Sequence, residues 1–251
     1  MAEREKPRHE PLERVVSDRG TMVFAGRRLT DIADEVGSTP FYAYDLAALD
    51  RRVQDLRQQV PDAIEIHYAM KANPMPEVVR RFVGLVDGLD VASVGELEVA
   101  LAAGADPAEI SFAGPGKTVA ELARAVEAGI VVNLESETEM RRLAELADGR
   151  RPRVAIRVNP DFELKTSGMK MSGGPKQFGI DAERVPAVLE ELAGLDLDFV
   201  GFHIFSGSQN LSGESIVEAQ NQTLDLAIRL AEHTPAPLRL LNIGGGLGMT
   251  Y

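Results

Sequence analysis

An α/β fold is predicted, a parallel barrel of the (β/α)8 kind, and three observations predict it. From Leu46 onward an apolar run of strand length, a turn signal and an amphipathic helix follow one another repeatedly. The connections are short, and parallel neighbours need such crossovers. A polar or glycine residue follows every strand: Lys71, Ser93, Gly114, Glu135, Asn159, Ser206 and Gly244. A site fed from so many strand ends suits a barrel, whose chemistry gathers at the C-terminal face of its strands. An open doubly wound sheet would concentrate its site at one switch point instead.

Residues 1–40 read as an N-terminal extension and residues 41–251 as the barrel. Met1–Arg14 is polar and expected to be disordered. Met22–Leu29 has the composition of a short strand and Thr30–Gly37 that of a helical turn, which runs into Phe41-Tyr42-Ala43-Tyr44. The barrel strands are then expected at Ile64–Met70, Leu89–Ala92, Ile110–Ala113, Ile130–Leu134, Val154–Val158, Phe199–Ile204 and Leu238–Ile243. Helices between them carry apolar residues at helical spacing, as in Val119, Leu122, Ala123 and Val126. Thr118 with Glu121 and Ser136 with Glu139 are capping-box patterns. Gly84, Gly104, Gly129, Gly149 and Gly194 stand where a helix end favours a left-handed residue. Seven strands are counted where this barrel closes with eight. The sequence is therefore expected to be a barrel fragment, with two unpaired edges that invite aggregation.

Composition excludes several classes. Hydrophobic residues make up 44% and charged residues 26% of the 251, ordinary for a globular protein. No apolar run approaches the roughly 18 residues of a membrane span, and the charged start, MAEREKPRHEPLERVV, lacks a signal peptide's apolar stretch. Zero cysteines leave no disulfide framework or thiolate chemistry, and a cytoplasmic location is expected. A formal net charge of −12 argues against nucleic acid. No metal ligands are assigned.

Four segments bear chemistry. In Ile66-His67-Tyr68-Ala69-Met70-Lys71-Ala72-Asn73-Pro74, Lys71 is either a solvated strand-end lysine or a Schiff-base lysine whose pKa partial burial lowers. The glycines of Asn242-Ile243-Gly244-Gly245-Gly246-Leu247-Gly248 let backbone N–H groups close around an anion. Loops after strands seven and eight of such barrels often bind phosphate; a plain turn is the alternative. A dinucleotide fingerprint fits poorly, because that motif opens a βαβ unit and has an acidic residue downstream. In Gly201-Phe202-His203-Ile204-Phe205-Ser206-Gly207-Ser208-Gln209, His203 is a catalytic candidate or a packed structural residue. Asp90, within Gly88-Leu89-Asp90-Val91-Ala92-Ser93-Val94-Gly95-Glu96-Leu97, lies inside an apolar strand and needs a partner, for which Lys71 is the candidate. Glu96 is explained by a capping box with Ser93, and Arg157, inside Val154–Val158, is a buried charge in want of an anion.

Taken together the segments resemble the fold-type III pyridoxal-phosphate enzymes, specifically the ornithine/diaminopimelate/arginine decarboxylase group. The resemblance runs from about Pro40 to the end and keeps the family's order: Tyr68-Ala69-Met70-Lys71-Ala72-Asn73, then Asp90-Val91-Ala92-Ser93 with Gly95-Glu96-Leu97, then His203 with Ser206, then Gly244-Gly245-Gly246. It implies an alanine-racemase-like barrel with seven of eight strands and without the family's C-terminal β domain, which a strand from residues 1–40 would join. It implies that Lys71 carries pyridoxal 5'-phosphate as a Schiff base and that His203 stacks on the pyridine ring. Ser206, Gly244, Gly245 and Gly246 are then expected to hold the phosphate, with Asp90, Glu96 and Arg157 lining the cofactor. The implied reaction is decarboxylation of an amino acid, in a protein that is a homodimer at full length.

Three departures qualify the likeness. Phe205 stands where related decarboxylases usually have glycine. Within the Lys165–Ile180 loop, Gln177-Phe178-Gly179 resembles the family's Ser-Lys-Phe-Gly segment with glutamine in place of lysine. That points away from ordinary diaminopimelate specificity, toward a diaminopimelate-decarboxylase-like branch associated with exosortase systems or toward relatives with carrier-protein-bound substrates. The family's Glu-Pro-Gly-Arg segment on the eighth strand is absent, so turnover is not expected of these residues alone. Two other readings stay open: an amino-acid racemase on the same barrel, and a non-catalytic decarboxylase homologue.

Overall fold

Strand and helix alternate where the apolar runs require it. The computed structural model describes residues 15–18, 20–162, 169–170, 177–245 and 247–248. The expected disorder of Met1–Arg14 and most of the Lys165–Ile180 loop lie outside the described residues. Contacts divide the chain into two compact units, Met1–Asp62 and Ala63–Met249.

The first unit holds an antiparallel sheet of β1 (Val15–Asp18), β2 (Thr21–Phe24) and β3 (Arg27–Arg28), followed by α1 (Leu29–Val36) and α2 (Leu46–Gln59). The single strand expected over Met22–Leu29 is thus a hairpin running into a helix. Its turn residues Ala25 and Gly26 both adopt positive φ, 50° and 75°, the geometry a two-residue hairpin loop requires. The Asp45 carboxylate accepts from the backbone N–H of Ala48 and starts α2.

The second unit alternates β4 (His67–Ala69), α3 (Pro76–Val83), β5 (Gly88–Val91), α4 (Val94–Ala102), β6 (Ile110–Phe112), α5 (Val119–Ala128), β7 (Val131–Leu134), α6 (Glu137–Glu145) and β8 (Arg153–Asn159). It continues with β9 (Met169–Lys170), β10 (Ile180–Asp181), α7 (Val185–Leu192), β11 (Asp198–Ile204), β12 (Gly207–Ser208), α8 (Gly213–Ala231) and β13 (Leu240–Asn242). All seven expected barrel strands are present. They pair in parallel in the order β4-β5-β6-β7-β8-β11-β13, with β10 continuing the ladder beside Val158 and Asn159 of β8. The order follows the chain without reversal, so the sheet has no switch point, which is the barrel's arrangement. The sheet also curls: Asn242 Nδ2 of β13 comes within 3.5 Å of Asp90 Oδ2 of β5, across the interior. β9 and β12 form a separate antiparallel pair that the sequence reading did not anticipate.

Strands covered on both faces are apolar along their length, and Leu89, Phe112, Val132, Leu134, Val154, Ile156, Phe202 and Ile204 are all buried in one core. The helices start where the caps are. Thr118 and Glu121 form the full reciprocal box, and Ser93, Ser136 and Ser212 each accept from the backbone three residues on. At the C-terminal ends the glycine expectation is corrected in part. Gly104, Gly129 and Gly149 are left-handed, while Gly84 and Gly194 are not, because α3 and α7 end in a tightened right-handed turn. Gly201 is demanded by closeness. A Cβ there would lie 1.7 Å from the Leu240 carbonyl oxygen, at a register shift between Phe199 and Gly201.

Candidate active site

The residues singled out in the sequence lie at the C-terminal ends of the barrel strands, beginning with Lys71. β4 passes directly into a 3₁₀ turn, Met70–Ala72. Met70 is fully buried and anchors the turn, while Lys71 projects from it and is exposed. The Tyr68 hydroxyl donates to the Asn73 carbonyl (3.0 Å), and the Tyr68 ring stacks on Phe82 at 3.8 Å, so the backbone around Lys71 is held on both sides. The Lys71 ammonium makes no hydrogen bond or ion pair among the described residues; it lies 5.8 Å from the centroid of the Phe205 ring. The partial burial anticipated for Lys71 is not found: the residue is exposed in the 3₁₀ turn that follows the strand.

Asp90 corrects a second expectation, since its partner is not Lys71. Its Oδ1 is 3.2 Å from His67 Nδ1 and accepts from Ser111 Oγ at 2.8 Å. His67 sits one strand over and two residues before Ala69, the register neighbour of Asp90. Burial alone would raise the Asp90 carboxyl, but the hydrogen bond and charge of His67, then Ser111, hold it below its ordinary value. Burial likewise opposes protonation of His67, and Asp90, Glu65 and Glu109 together outweigh it, raising the imidazole. Each partner thus favours the charged form of the other.

Arg157 has found its anion in Glu135, 2.8 Å from Nη1 to Oε1. The Phe178 ring lies 4.8 Å from the guanidinium carbon. Glu96 only half matches the box expected of it. Its N–H donates to Ser93 Oγ, but its carboxylate accepts from the backbone N–H of Ala92 (2.6 Å) rather than from that of Ser93.

His203 is the register neighbour of both Arg157 and Asn242, and its Nδ1 is buried without a hydrogen-bond partner among the described residues. Burial, and then the charge of Arg157, push the imidazole down to about 4. The folded chain therefore prefers the neutral ring, and that preference is fully expressed above the unfolded value of about 6.5 and is lost as pH falls toward 4. Between those pH values the unfolding free energy of the wild type should fall by on the order of 2 to 3 kcal/mol more than that of His203→Asn. Equal slopes in urea titrations of the two proteins would refute this. The His67–Asp90 pair runs the other way at its upper limit, losing its contribution as pH rises through the raised imidazole value.

Ser206 is buried just beyond β11. Gly244, at φ 72°, receives the side chain of Phe205 so closely that a Cβ would stand 2.6 Å from Phe205 Cδ2. Asn242 Oδ1 accepts from the Gly244 N–H (2.8 Å) and fixes the start of the glycine turn. Gly245 is exposed, and Gly246 lies outside the described residues. The structure thus brings Asp90, Arg157, His203 and Lys71 into one electrostatic neighbourhood. Glu96 stands apart, its hydrogen bonds to Ala92 and Ser93 both lying within its own strand-to-helix turn.

Sequence reading missed His67, Glu135, Lys117 and Asn242 as members of this constellation. One signal was available for Lys117: a cation immediately before an N-cap, Thr118, is electrostatically misplaced on the helix and so has to be used elsewhere. It is buried, donating to the carbonyls of Gly114 and Asn133 and to Glu139 Oε1.

A parallel barrel with a strand-end lysine and a glycine turn at the same mouth defines a class of anionic-cofactor site, and the comparisons name the family. Residues 46–251 match the model "Pyridoxal-dependent decarboxylase, pyridoxal binding domain", and the chain belongs to that family. It is 37% identical over 217 residues to the L-glutamyl-[BtrI acyl-carrier protein] decarboxylase of Niallia circulans, covering 85% of this chain and 51% of the relative. With the diaminopimelate decarboxylase of Aquifex aeolicus it shares 38% over 237 residues, 92% and 56% of the two chains. The crystal structure of diaminopimelate decarboxylase from M. jannaschii in co-complex with L-lysine superposes with a TM-score of 0.82 at 26% identity, over 94% of this chain and 57% of that one. The chain spans about half the length of the curated relatives it matches.

The family's cofactor is pyridoxal phosphate, and the residues present fit it. They offer a lysine amine with no ion-pair partner among the described residues, an orphaned buried nitrogen on His203 and a glycine turn with a left-handed residue. Among the described residues no helix is long and apolar enough to cross a membrane.

Proposed function

We propose that this chain forms the cofactor-holding part of an enzyme that decarboxylates an amino acid. The observation that carries the reading is the Phe205 ring. Lys71 Nζ approaches it at 5.8 Å, and Gly244 packs so closely that no Cβ would fit. One side chain therefore touches both the amine and the glycine turn, although they are far apart in the sequence. Lys71 would hold the cofactor's aldehyde carbon and Ser206, Gly244, Gly245 and Gly246 its phosphate, with backbone N–H groups meeting the anion. His203 would lie against the ring, where a neutral imidazole packs without adding charge. Asp90 and Arg157 would line the pocket, and Glu96 would lie at its margin. Bound there, pyridoxal phosphate supplies an electron sink for the charge left when a carboxylate departs as CO₂.

The substrate class is an amino acid with a carboxylate or a carrier-linked acyl group at its far end. This extends to the chain what the names of the relatives say of them. A cytoplasmic, homodimeric setting belongs to the same reading and rests on the cysteine-free composition and the family resemblance.

Reduction with borohydride after incubation with pyridoxal phosphate tests the assignment. The expected result is one stable adduct on the peptide containing Lys71; an adduct confined to other lysines would end it. Release of CO₂ from meso-diaminopimelate or a carrier-bound glutamate separates decarboxylation from racemisation, which would invert the α-carbon without gas.

A further inference from the structure

Beyond the residues that face the mouth, one buried carboxylate gathers three segments of chain. Glu135, in the residue after β7, has a side chain only 2% exposed. Its Oε1 accepts from Arg157 Nη1 (2.8 Å) and from the Gly114 N–H (2.5 Å), and its Oε2 from the Gly179 N–H (3.1 Å). Those donors come from β8, from the turn after β6 and from the Gln177–Gly179 turn. The last of these is held in two further ways. Phe178 covers the Arg157 guanidinium, and Gly179 sits so tightly on β8 that a Cβ would lie 2.9 Å from both the Arg157 oxygen and the Asn159 nitrogen. Glu135 is itself fixed, because its N–H donates to Glu139 Oε2 (2.7 Å) and Glu139 is paired with Lys117. Two ion pairs, Lys117 with Glu139 and Glu135 with Arg157, are thus joined through the Glu135 N–H and reach the register neighbour of His203.

A carboxylate used only to fill the core would be a poor choice, since an apolar side chain of that size does as well without desolvation cost. A carboxylate that must hold one cation and two N–H groups in fixed directions has no apolar substitute. We propose that Glu135 is a positioning residue, which aims Arg157 and ties the Gln177–Gly179 turn against the barrel mouth. The functional half of this rests on the reading of that mouth as the cofactor site.

Glu135→Gln tests it, because the amide keeps the shape and presents an NH₂ where a donor already stands. Amide hydrogen exchange should become about tenfold faster at Gly179 while the amides of β7 keep their protection. Pyridoxal phosphate should bind about tenfold more weakly. Unchanged exchange at Gly179 overturns the inference. If the β7 amides also accelerate, the fold as a whole has loosened, and Glu135→Met with Arg157→Met decides. Removing both charges restores stability, so rapid exchange at Gly179 alone then supports the clamp and wild-type protection refutes it. Failure of the wild-type chain to take up pyridoxal phosphate would sink the cofactor reading, and the exchange result would still judge the clamp.

Discussion

Lys117→Met should cost about 3 to 5 kcal/mol of unfolding free energy, the usual penalty for removing one partner of a buried ion pair. The Lys117 side chain is 1% exposed and that of Glu139 9%, with 2.8 Å between the charged atoms. The ammonium also satisfies the carbonyls of Gly114 and Asn133. Methionine fills the same volume, so the loss measures charge and hydrogen bonding rather than a cavity. Burial already raises the Glu139 carboxyl, against the pull of Lys117, and without the lysine it would rise further. Pairing the change with Glu139→Leu should recover a large share of the loss, though not all, since Glu139 also accepts from the Glu135 N–H. A urea series on the single variant showing less than about 1 kcal/mol of destabilisation would contradict the account.

Lys71→Ala should do the reverse, leaving stability within about 0.5 kcal/mol of the wild type while removing every trace of the reducible adduct. The stability expectation follows from its exposure and from its making no ion pair among the described residues. The chemical expectation follows from the proposed role, in which no other amine substitutes for this one. Lys71→Arg sharpens the test. A guanidinium keeps the positive charge over Phe205 but stays protonated and cannot attack a carbonyl. If Lys71→Arg still takes up pyridoxal phosphate into a borohydride-stable adduct in the wild-type amount, on some other lysine, the lysine assignment is wrong. A melting temperature lowered by many degrees in Lys71→Ala would instead make the residue structural.

Much of the barrel was legible because its signals are local. An apolar run such as Val154–Val158 declares a strand by itself, and Thr118 with Glu121 declares a helix start four residues wide. The positions of Lys71, His203 and the glycine turn at strand ends followed from those boundaries. The hairpin at Ala25-Gly26 was missed because it lacks the asparagine or aspartate that usually announces such a turn. Partners were legible least. Asp90 was matched with Lys71 because both stood on neighbouring strands, yet β4 turns into a 3₁₀ segment before Lys71 and offers His67 instead.

The sequence alone determined the kind of fold, the parallel order implied by its crossovers, and which residue types stand at the strand ends, because periodicity and capping depend on neighbours within one or two turns of chain. Only the tertiary structure decided which charges meet. Glu135 with Arg157 and Asp90 with His67 are chosen by strand register, and the approach of Asn242 to Asp90 by the curl of the sheet. Both are set by packing across the whole barrel, where a shift of one residue would turn each of these side chains to the opposite face.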